Sequence, residues 1–102
     1  WPFDPLAGSG PQIVEIYTQI AARASGLRKG RSKIRDGDGL DVALSAFGSL
    51  PHIALERYTD HATDAILTAA WLRYVAENQY FWTPNALNSD IASTEGWTFG
   101  II

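Results

Sequence analysis

The chain contains neither cysteine nor methionine. Without a thiol there are no disulfides, no thiolate metal sites and no cysteine nucleophile, and a reducing compartment is compatible with the sequence. Methionine is missing even at position 1, where Trp1 opens onto Pro2, Asp4 and Pro5, so the sequence reads as a piece of a longer protein. No apolar run approaches the roughly 20 residues that span a bilayer, and the first residues lack the basic-then-apolar layout of a signal peptide. No membrane partner is expected, and the location is read as cytoplasmic. The sequence also lacks a glycine-rich phosphate loop, a G-x-S-x-G elbow and an HExxH pair. The GDG at Gly37 to Gly39 reads as a turn, and DGDG lacks the ligand spacing of an EF-hand.

What is present is a soluble globular composition, 46% hydrophobic and 19% charged in 102 residues, enough for one small domain and one core. The net charge of -3 argues mildly against a nucleic-acid partner for the chain as a whole. That average hides an asymmetry. Arg28, Lys29, Arg31, Lys33 and Arg35 all fall within GLRKGRSKIRDG, whereas Asp60, Asp64, Glu77, Asp90 and Glu95 lie in the later half. A glycine-loosened basic loop of this kind suits either a solvated surface or contact with phosphates, whose charge lysine and arginine neutralise without reading sequence.

Residues 1–11, which include Pro2, Pro5, Pro11, Gly8 and Gly10, read as a linker, and residues 12–102 as the domain. QIVEIY, Gln12 to Tyr17, combines β-branched residues and an aromatic after Pro11 and predicts a buried strand. TQIAARAS predicts a helix that stops at Gly26. DVALSAF, Asp41 to Phe47, predicts a short helix, and Pro51 a further helical turn. A long alanine-rich helix is expected from Thr59 or Asp60 to about Asn78, with Ala62, Ala65, Ile66 and Ala69 facing the strand. Pro84 ends any preceding helix, and WTFGII is a possible closing strand or an arm on a partner. A strand followed at once by a helix is an α/β signature. The aromatics Trp71, Tyr74, Tyr80, Phe81 and Trp82 suit a core or subunit interface, or base stacking.

Two features bear on chemistry. His61 and Asp64 are neighbours on one helix face and can ligate one hard cation, or serve as charge and cap at a helix N-terminus. Glu15 places a charge inside an apolar strand, where it requires a partner or a metal unless it sits at an exposed edge. The succession IVEIYT, basic loop, HATDAILTAA and EGWTFGI resembles the C-terminal half of the predicted RNase H-like nuclease family long catalogued as a domain of unknown function, over roughly Pro11 to Ile102. It is similar, more distantly, to Holliday-junction resolvases of the RNase H-like superfamily.

The resemblance implies the C-terminal portion of an α/β, RNase H-like domain, helix-rich with one or two strands. It also implies a Mg²⁺- or Mn²⁺-dependent nuclease with Glu15, His61 and Asp64 as catalytic metal ligands, and Arg28, Lys29, Arg31, Lys33 and Arg35 against nucleic acid. The superfamily's first strand contributes a central Asp that nothing before Glu15 supplies, so the chain alone is expected to be incomplete and inactive. The competing expectation is a non-catalytic assembly domain that pairs its aromatic and alanine-rich faces, as in a homo-oligomer.

Overall fold

Of the 102 residues, the computed structural model describes 1–3, 10–27 and 33–102. The chain divides into two compact units: Thr18–Glu77, and a second unit made from Trp1–Tyr17 together with Asn78–Ile102.

The central unit is helical. Its α1, Thr18–Ala24, stops where Gly26 turns to φ +93°, a conformation that brings the Leu27 N–H to the Ala22 carbonyl at 3.2 Å and the Gly26 N–H to that of Arg23 at 3.0 Å. Helix α2, Gly37–Ser45, begins earlier than its apolar pattern indicates, because Asp36 takes the N-cap and accepts from the Gly39 N–H at 2.7 Å. The GDG turn is therefore the first turn of a helix. No helical turn follows Pro51. Helix α3, Asp60–Val75, is capped by Thr59, whose hydroxyl accepts from the Ala62 N–H at 3.2 Å.

Helix α3 packs against α1 and α2. The core takes Ala21 and Ala22 from α1, Leu40, Ala43 and Leu44 from α2, and Leu67, Ala70, Trp71 and Val75 from α3, with Phe47 beyond the end of α2. The face of α3 that sequence pattern favoured is not the buried one: Ala65 and Ala69 are exposed. Leu67, Trp71 and Val75, one turn apart each, remove more apolar area from water than alanines can, and their stripe decides which side turns inward.

The other unit contains α4, Gln79–Trp82, and α5, Ser89–Thr94, both short. Helix α4 stops before the buried Pro84, as a proline requires. Phe99 is the centre of this unit, with no exposed surface, and its ring lies 4.7 Å from Trp82, 5.6 Å from Trp1 and 5.9 Å from Phe81. Glu15 and Thr98 form an isolated parallel bridge, reinforced by the Phe99 N–H donating to the Glu15 carbonyl at 2.8 Å.

That bridge is all that remains of the two expected strands, and it overturns the expected α/β, RNase H-like fold. Among the described residues there is no sheet, and the protein is a small, mostly helical one. A lone pair of extended segments has no further neighbour to hydrogen-bond, so β-branched residues at Ile13, Val14 and Ile16 do not by themselves propagate a strand.

Candidate functional site

In the central unit a cleft of about 140 Å³ opens beside Thr18, Gln19 and Ala22 of α1, Lys33, and Asp60 and Asp64 of α3. Helical spacing of four residues puts the two carboxylates on one face of α3. Because Thr59 does the capping, neither carboxylate is spent on the helix's own N–H groups. Asp64 is half-buried, and among the described residues it accepts one hydrogen bond, from the Thr18 hydroxyl at 3.2 Å, and makes no ion pair. Asp60 is exposed and meets the Lys33 ammonium at 3.0 Å. The hydrogen bond from Lys33, followed by its charge, holds the Asp60 carboxyl below the ordinary carboxylate value.

The residues singled out in the sequence are distributed as follows. Asp64 lines the cleft, while His61, one position further round α3 than Asp60, is exposed and does not line it. Glu15 belongs to the other unit, where its side chain is exposed beside the bridge to Thr98. Lys33 reaches the cleft and Arg35 is exposed. Arg28, Lys29 and Arg31 lie outside the described residues.

A second polar cluster in the central unit carries no sequence signature. His52 donates from Nδ1 to Asp41 Oδ1 at 2.5 Å, and the same carboxylate oxygen accepts from the His52 backbone N–H at 3.0 Å. The Tyr58 hydroxyl sits 2.8 Å from His52 Nε2 and accepts, at 3.4 Å, from the Leu55 N–H. In the neutral ring with Nδ1 protonated towards the carboxylate, Nε2 accepts from the phenol. The His52 side chain is only 8% exposed, and its hydrogen bond holds the Asp41 carboxyl below its ordinary value. Asp–His–Tyr order resembles a proton relay, but the phenol oxygen is engaged by His52 and the Leu55 N–H and crowded by Gly37. A Cβ on Gly37 would lie 2.7 Å from its oxygen. The cluster works as a clasp that ties the irregular segment 51–59 to α2. Aspartate and histidine are eleven residues apart across a loop, a spacing with no periodicity to reveal it.

Comparison with family models, curated proteins and solved structures found no match to this chain. Among the described residues no group of three or more His, Asp or Glu side chains gathers in metal-ligating array. Asp60 and Asp64 nevertheless suit a hard cation that keeps most of its water, since Mg²⁺ is commonly held by one or two carboxylates. They fall short of a two-ion centre. Among the described residues no helix is long and apolar enough to cross a membrane.

Proposed function

We propose that the chain is part of a divalent-metal-dependent nuclease acting on nucleic-acid phosphodiester bonds, located in the cytoplasm, with Asp64 as its metal-holding carboxylate. The observation that carries this reading is Asp64 itself: a half-buried acid, steadied by Thr18 and without a cationic partner among the described residues, beside a lysine in a polar cleft. The resemblance of HATDAILTAA and EGWTFGI to the predicted nuclease family supports it. Mg²⁺ or Mn²⁺, when bound, supplies water activation and charge stabilisation. Asp64 holds the ion and Thr18 fixes its carboxylate; Asp60 joins as a ligand when the Lys33 ammonium leaves it to neutralise phosphate beside Arg35. Glu15 and His61 stay candidate ligands through the resemblance, not through their position. With two carboxylates in the cleft the chain by itself binds the ion weakly and does not cleave.

The test is a Mn²⁺ titration followed by NMR. Amide signals of Thr18 and Asp64 should broaden in the natural sequence and not in Asp64→Asn; equal broadening in both would overturn the reading. Lys33→Ser with Arg35→Ser should lower the log–log salt slope of duplex DNA binding by about 0.9 for every phosphate that the chain no longer neutralises.

A second reading is an assembly domain, favoured by the exposed Ala65, Ala69 and Tyr74 on α3. Sedimentation that stays monomeric at high concentration, unchanged by Ala69→Glu, removes it.

A further inference from the structure

The unit built from Trp1–Tyr17 and Asn78–Ile102 contains its own cleft, of about 360 Å³, large enough for a small ligand. Four aromatic residues line it, Trp1, Phe3, Tyr17 and Trp97, together with two acids, Glu15 and Glu95. Among the described residues no lysine, arginine or histidine lines it. The two stretches of chain that make this unit contain no basic side chain at all.

The aromatic walls are held in place. Trp97 donates its indole N–H to the Ile101 carbonyl at 2.9 Å, which fixes the ring. Trp1 stands edge-on to Trp82 and Phe99, with centroids at 5.7 and 5.6 Å, and its amine is turned onto the Ile13 carbonyl at 3.0 Å. Phe3 lies over Gly96, so closely that a Cβ there would come within 2.9 Å of the ring. Phe3 and Tyr17 each remain 60% exposed, an apolar surface beside the cleft.

We propose that this cleft binds an organic cation, an alkylated ammonium or guanidinium head, between its aromatic rings and its two carboxylates. Ring faces attract cations through their quadrupole, and they favour soft, weakly hydrated cations over compact hydrated metal ions. The carboxylates of Glu15 and Glu95 in the lining add a charge that a neutral ligand of the same shape cannot use. Neither feature needs the cleft beside Asp64, so the two sites stand or fall separately.

The experiment is a titration of the full chain with choline, methylguanidinium, 3,3-dimethylbutanol as the neutral isostere of choline, and Mg²⁺, followed by the indole N–H signals of Trp1 and Trp97. Choline or methylguanidinium should shift both signals saturably, and whichever binds more tightly tells ammonium from guanidinium. Tyr17→Leu, at an exposed position that leaves the fold undisturbed, should weaken binding about threefold to fivefold. Glu15→Gln combined with Glu95→Gln should weaken it at least about fivefold. Three results overturn the proposal: no saturable shift with either cation, equal shifts with 3,3-dimethylbutanol, or displacement of choline by Mg²⁺ at lower concentration than choline itself.

Discussion

The two units differ in how their charges and contacts are distributed along the chain. Thr18–Glu77 contains all eight lysines and arginines against seven acids, a net charge of +1. The other unit has four acids and no base, a net charge of -4, and eight of the twelve aromatic residues. The first is built by three helices, two of them capped by a side chain at the N-terminus, which pack on one another within a single stretch of chain. The second is closed by contacts between distant parts of the sequence, Glu15 to Phe99 and Trp1 to Trp82. A unit of the first kind is specified by local signals; one of the second kind depends on loop closure and on one aromatic cluster.

Breaking each core in turn is the strongest test of that contrast. Phe99→Ala should cost about 3–5 kcal/mol and Leu40→Ala about 2–5 kcal/mol. In the first variant the indole signals of Trp1 and Trp82 should collapse while the amides of α3 keep their hydrogen-exchange protection; in the second the order reverses. Joint loss in either variant would mean a single cooperative structure.

The clasp comes next. Tyr58→Phe leaves His52 Nε2 buried without a donor, and the central unit should lose about 1–3 kcal/mol in chemical denaturation followed at Trp71. An unchanged midpoint would reduce the clasp to a bystander. Gly96, at φ +77° and beneath Phe3, sharpens the contrast from the other side. Gly96→Ala should cost about 1–2 kcal/mol in the aromatic unit and displace Phe3, seen as altered ring shifts. Thr68 carries a buried hydroxyl with no hydrogen-bond partner among the described residues. Thr68→Val should stabilise the central unit by about 1 kcal/mol, measured in the same denaturation assay.

The smallest effect is electrostatic. Asp41 and Asp60 titrate below the ordinary value of 3.8 when folded, because His52 and Lys33 hydrogen-bond their ionised forms. A depressed carboxyl stabilises the fold above its unfolded value and stops doing so as pH falls through its folded one. Denaturation midpoints at Trp71 should therefore fall below pH 3.8, and less steeply in Asp60→Asn. Added salt should shrink the Asp60 share first, since its pair with Lys33 is exposed.

Legibility in the sequence follows the same division. The helix over TQIAARAS with its stop at Gly26, the Thr59 or Asp60 start of α3 and the halt before Pro84 were all readable, because caps and breakers act within a few residues. Asp36 as a cap was within reach of the same reasoning, but the glycines of DGDG masked it. The lack of a sheet among the described residues was not readable. QIVEIY has strand chemistry, and whether a strand forms depends on neighbours that one segment cannot announce. Of the candidate cleft, Asp64 and Lys33 could be named from type and position. The replacement of His61 by Asp60 at its wall depended on which stripe of α3 turned inward, and Leu67 and Trp71 decided that.

The order in which residues leave the ribosome gives the split unit a further meaning. Trp1, Pro2 and Ile13 emerge before the central unit, yet the Phe99 that Trp1 packs on is made only after it. Throughout synthesis of Thr18–Glu77, which holds α1, α2 and α3, Phe99 is not yet available to the early aromatic segment. All of the central unit is synthesised before Phe99 is. The aromatic unit, made from the two chain segments that lead into and out of the central one, can close only once translation has passed Phe99.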